Sequence, residues 1–122
     1  MTKKLTDPTI SYYALPGLKT KHVFRMFARH TLEFVEALVV DYYEVKAEVL
    51  YSKKRDRHFL TPRHVSMFLM RKYTAYSLKD IGKRFHRDHT SVMHAVKKVE
   101  DLMETDESMR RDVQLIENAI LA

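Results

Sequence analysis

An all-α fold is predicted, and three observations predict it. Apolar residues recur at helical spacing over most of the chain, Ser77, Asp88 and Asp106 each stand where a helix N-cap is needed, and two Gly and three Pro in 122 residues are too few for many turns. With 45% apolar and 31% charged residues, the chain has enough of both to bury one modest core and solvate its outside. Zero Cys removes disulfides and thiolate metal sites. No run of about 18 apolar residues and no apolar signal core are present, so neither membrane spanning nor export is expected and the location is expected to be cytoplasmic.

The elements follow in order. Residues 1–20 hold Pro8, Pro16 and Gly17 and show no clear period; they read as an N-terminal arm, with Tyr12, Tyr13 and Leu15 apolar enough to pack on the domain or a partner. Residues 21–42 read as one long amphipathic helix through Val23, Phe27, Phe34, Val35, Leu38, Val39 and Tyr42, broadened by Phe24, Met26 and Leu32. So wide a face needs more than one neighbour, which leaves the helix's own domain, the arm, or a second chain in a homodimer or with a protein partner. Residues 43–122 form the remaining unit. Glu44 to Tyr51 is expected as a short helix, Thr61 as the cap and Pro62 as the first residue of the next, with Val65, Phe68, Leu69 and Tyr73 inward and Arg63 and His64 on its exposed first turn.

The second half of the chain carries the strongest pattern. Ser77 with an acid three residues on opens a short helix whose inner face is Leu78, Ile81 and Phe85. Gly82 costs helix propensity and is expected where a second backbone passes close, as in a helix-turn-helix. His86 and Arg87 are left for the turn. Asp88 then caps a helix whose apolar stripe is Val92, Ala95, Val96, Val99, Leu102 and Met103. That stripe turns His89, Thr90 and Ser91 outward in the first turn, beside free backbone N–H groups and the positive end of the dipole, a setting suited to phosphates and base edges. Asp106 caps a last helix closed by Met109, Val113, Ile116 and Ile120, whose acids are expected on a solvated face.

Charge is distributed to match. Tyr43 to Lys98 holds 14 Lys/Arg against 5 Asp/Glu, a balance of +9, whereas Val99 to Ala122 holds 2 against 7, a balance of −5. A basic body fits a polyanion and predicts salt-sensitive binding. Ser52-Lys53-Lys54-Arg55-Asp56-Arg57 is a basic loop that faces water or that polyanion, and an arginine there suits the narrow A·T minor groove.

The run Ser-Leu-x-acid-Ile-Gly-x-x-Phe, then Arg-Asp-His-Thr-Ser-Val-x-His-Ala, then Lys-Lys-Val-Glu, together with Tyr43, the basic loop and Pro62-Arg63, resembles the C-terminal DNA-binding domain of the bacterial replication initiator DnaA. The likeness covers roughly residues 38 to 122. It implies a helical bundle with a helix-turn-helix of the DnaA domain IV or Trp-repressor kind, preceded by a connector-like helix, and a nucleoid-associated, non-enzymatic protein. Its partner would be double-stranded DNA, at short asymmetric A/T-containing boxes bearing on replication initiation or transcription. The alternative is an adaptor that meets a protein partner through residues 21–42, with DNA as secondary ligand.

Residues and resemblance together assign base reading to Arg55, Arg63, His64, Asp88, His89, Thr90 and Ser91. Arg55 matches the family's minor-groove arginine. Arg63 would fork onto guanine or onto a phosphate, Asp88 would cap its helix and also accept from cytosine N4, and Thr90 would set its methyl against thymine. Backbone contacts fall to Lys53, Lys54, Arg57, Arg71, Ser77, Lys79, Arg87 and Lys97. Three departures from the family are His64 for its common Gln, Ser91 for a second Thr, and the single His86 for its usual Gly-Gly; the last tightens the turn.

Other chemistries find no footing. A P-loop needs Gly-x-x-x-x-Gly-Lys-(Ser/Thr), and with only Gly17 and Gly82 available no ATP or other cofactor is expected to bind here. His86-Arg87-Asp88 opens like a kinase catalytic motif but lacks the downstream Asn and the Gly-rich loop. His89 and His94 are five apart, outside a His-Glu-x-x-His setting, so no metal site is expected.

Overall fold

The computed structural model describes residues 31–122, and the arm and the Lys21 to His30 part of the expected helix lie outside them. Among the described residues there are six helices and no strand: α1 Leu32–Tyr43, α2 Ala47–Tyr51, α3 Arg57–Tyr73, α4 Leu78–Arg84, α5 His89–Thr105 and α6 Glu107–Leu121. The all-α bundle with a helix-turn-helix is therefore what the chain forms.

α3 is the axis. Val65 through Met70 are all buried, so nearly every side of that helix meets protein, chiefly α5, α1 and α2. α5 lays Val92, Ala95 and Val99 against it, and α6 closes over α5 and α1 with Met109, Val113, Ile116 and Ile120. Each of these apolar side chains larger than alanine contributes roughly 1.5–3 kcal/mol on burial.

α1 belongs to the same core. Leu32, Val35, Leu38 and Val39 are buried in it, and Phe34, Val40 and Tyr42 pack on its edge. The neighbours that this wide apolar face requires are thus supplied by its own bundle from residue 32 onward. α1 starts at Leu32, because Thr31 is extended and its side chain caps Phe34 N–H at 3.1 Å.

Two other boundaries differ from expectation. Glu44 takes a left-handed backbone (φ 55°) that ends α1, so α2 starts only at Ala47. α3 opens at Arg57, with Asp56 as the flanking residue, and Thr61-Pro62 sit in its second turn rather than at its start. Pro62 forfeits one intrahelical bond there, to the carbonyl of His58, an exposed residue of the first turn. The ring itself is buried.

Carboxylates tie the helices from outside the apolar core. Glu36 on α1 accepts from the Arg84 guanidinium of α4 and from the Tyr51 hydroxyl of α2, and burial followed by that hydrogen bond pushes Tyr51 up to about 12. Asp112 on α6 accepts from Tyr42 at 2.7 Å and Tyr43 at 3.2 Å, while Glu117 accepts from Lys72 at 2.7 Å and Tyr73 at 2.8 Å. The acids of α6 are therefore not all a solvated face: two of them anchor it.

Candidate nucleic-acid interface

The helix-turn-helix is built from local chemistry. Ser77 accepts from Asp80 N–H at 3.0 Å and starts α4; Asp88 accepts from Ser91 N–H at 3.0 Å and starts α5. Between them, Arg87 N–H reaches back to Gly82 O at 2.8 Å and His86 N–H to Lys83 O at 3.2 Å, the paired bonds of a Schellman ending with His86 in the left-handed position at φ 58°. Gly82 is needed for space. A Cβ built there lies 2.4 Å from the Arg87 carbonyl oxygen, so the close neighbour is the turn itself rather than a crossing helix.

This turn puts His89, Thr90 and Ser91 at the exposed start of α5, as the stripe predicts. The backbone bond to Ser91 N–H holds the Asp88 carboxyl below its usual range, so it stays ionised as a cap.

Beside α5 lies a cleft of about 530 Å³ between the basic loop, α3 and the turn. Lys53, Arg55, Arg63, Arg87 and Lys98 line it with His64, His86, His94 and Ser91, and no carboxylate is among the lining residues. So many cations without a counter-charge raise the local potential and favour an anion with several negative groups. Burial first, then Arg63, Lys98 and Arg87, push the His64 imidazole down to about 4, so it is neutral at pH 7.

The predicted residues divide accordingly. Lys53, Arg55, His64, Arg87 and Ser91 meet in the cleft, and Asp88, His89 and Thr90 adjoin it. Arg71, Ser77 and Lys79 are exposed on α3 and at the start of α4. Lys54 and Arg57 line different grooves, with the Lys54 ammonium 5.2 Å over the Phe59 ring. Lys97 is exposed and pairs with Asp101 at 3.0 Å.

Arg63 requires a correction. It is 3% exposed rather than free on a first turn, because α3 began earlier and the loop folded back over it. Its guanidinium donates to the carbonyls of Ser52 and Lys54, the latter at 3.1 Å. With both bonds made and the side chain buried, the guanidinium is engaged by the loop rather than free on the surface.

Three cleft residues escaped sequence reasoning: His86, His94 and Lys98. Lys98 was legible, since Ser91, His94 and Lys98 share a helical face at spacings of three and four, whereas Lys97 falls on the Thr90 side. His86 gave no such signal, because its direction depends on the left-handed turn.

Comparison with known proteins fits this geometry. The family described as bacterial dnaA protein helix-turn-helix matches residues 32–99. Chromosomal replication initiator protein DnaA of Methylobacillus flagellatus is 41% identical over 87 residues, 70% of this chain and 18% of that protein. Its counterpart from Zymomonas mobilis is 44% identical over 89 residues, 72% of this chain and 18% of its own length. That of Ruegeria pomeroyi is 41% identical over 93 residues, or 75% and 20%. The chain thus spans 18–20% of the length of these relatives. Among the described residues, no helix is long and apolar enough to cross a membrane. The chain therefore belongs to the bacterial DnaA helix-turn-helix family.

Proposed function

We propose that the chain binds double-stranded DNA sequence-specifically, without catalysis, at boxes like those of the replication initiator. In this reading α5 enters the major groove with His89, Thr90 and Ser91 toward base edges, and Arg55 reaches the adjacent minor groove. Lys53, Arg87 and Lys98 hold phosphates between the two. Occupancy of such sites would act on replication initiation or on transcription, in the nucleoid. The observation that carries the reading is the acid-free cationic cleft joined to an exposed, polar first turn of α5.

Titration of a box-containing duplex and a scrambled one across salt tests it. Tighter binding to the box, with affinity falling steeply as salt rises, is expected from counterion release. Equal affinity for both duplexes overturns sequence specificity and leaves a nonspecific basic protein. Arg55→Ala is expected to weaken A·T-rich boxes by roughly 1–3 kcal/mol and other DNA less, while Arg71→Ala weakens all duplexes alike. The reverse pattern overturns the groove assignment.

A further inference from the structure

The loop that carries Arg55 is held by side chains. Among the described residues, no main-chain hydrogen bond ties Lys53, Lys54 or Arg55 to another segment. The Ser52 carbonyl instead accepts from two arginines at once, Arg63 of α3 and Arg87 of the helix-turn-helix turn, the latter at 3.2 Å. Arg63 also holds the Lys54 carbonyl, one residue before Arg55, and Arg87 holds the Phe85 carbonyl at 3.0 Å, one residue before His86. Arg87 adjoins Asp88, the cap of α5. One carbonyl therefore joins the basic loop, the central helix and the start of α5.

The arrangement is costly unless it serves something. Burial first, then the charges of Arg87 and Arg55, lower the Arg63 pKa. Among the described residues no carboxylate pairs with Arg63 or Arg87. Bulk apolar packing would bury the site more cheaply, but it could not hold a loop by its carbonyls.

We propose that Arg63 and Arg87 are positioning residues that fix the reach of Arg55 from α5, so that both grooves are read at one set separation along the duplex. The proposal rests on the reading of Arg55 as the minor-groove contact. Pre-organisation of this kind removes the ordering cost of the loop at the moment of binding.

The test uses the full chain and three duplexes: a box, the same box with one base pair inserted between its A·T-rich half and the remainder, and a scrambled sequence. Wild type is expected to lose on the inserted box what Arg55→Ala loses on the intact one. Arg63→Lys keeps the charge but lacks the planar fork, so it should discriminate intact from inserted box roughly tenfold less than wild type and bind the scrambled duplex equally well. Combined with Arg55→Ala, it should cost nothing further. Arg87→Lys removes one bond to Ser52 from a half-buried position and should lower the ratio of intact-box to inserted-box affinity in the same direction, on top of a uniform loss on all three duplexes from its phosphate contact, which covers the case of an Arg63 variant that fails to fold.

Additive losses for Arg55→Ala and Arg63→Lys, or variants that discriminate as sharply as wild type, overturn the proposal. If wild type itself ignores the box, sequence specificity falls, and amide exchange then decides the clamp separately. Slow exchange at Lys54 in wild type and fast exchange in Arg63→Lys would retain it, and equal rates would end it.

Discussion

Two irregular segments border the cleft, and they are held in opposite ways. The turn at Phe85–Asp88 is closed by its own backbone, through Gly82 and Lys83 carbonyls and the Asp88 cap. The loop at Ser52–Arg55 is held by arginine side chains from elsewhere in the fold. Backbone closure depends on space and φ and tolerates most side chains. Side-chain closure depends on two particular residues, and those also bring charge to the cleft. The turn is thus a scaffold, whereas the loop is a scaffold that also carries the proposed ligand surface.

The largest effect is expected where the turn has no spare room. Gly82→Ala gains up to about 1 kcal/mol of helix propensity, yet its Cβ would meet the Arg87 carbonyl oxygen at 2.4 Å, backbone that cannot swing aside. A net loss of roughly 1–3 kcal/mol is expected in denaturant unfolding. Unchanged stability would show that the turn yields, and with it the contrast with the loop.

His86→Gly should act in the other direction. A non-glycine at φ 58° carries about 1–2 kcal/mol of strain, part of which returns as glycine's added freedom in the unfolded chain. A gain of about 1 kcal/mol is expected. A loss would mean that the imidazole itself holds the turn.

The pH-dependent effect concerns His64, which lies between the two segments. Its proton is bound near 6.5 in the unfolded chain but only near 4 in the fold, so the unfolded state holds more protons between those values. Stability should be full above pH 6.5, decline as pH falls toward 4, and level off below. His64→Gln removes this contribution, so the wild-type and variant unfolding curves should converge or cross on acidification. Parallel pH profiles would place the imidazole in water rather than in the cleft.

The sequence makes some of this legible, for a physical reason. Ser77, Asp88 and Asp106 cap helices because an N-cap bond spans only two or three residues, so its chemistry is visible in a short window. The stripe of Val92, Ala95 and Val99 is equally local. Arg63 was misplaced because its burial depends on carbonyls nine and eleven residues upstream folding back over it. The Asp112 bonds to Tyr42 and Tyr43 join residues 70 and 69 apart, beyond the reach of any periodicity. Lys98 was within reach and was missed by one position.

Glu36 joins three helices. Its one carboxylate grips the guanidinium of α4 and the hydroxyl of α2 while riding on α1, so it is a rivet driven through three rods. The Arg84 bonds couple α1 to α4, and α4 ends where the turn into α5 begins. The Glu36 carboxylate thus gives α1 a polar link to the start of that turn, beside the apolar core it shares with α3 and α6.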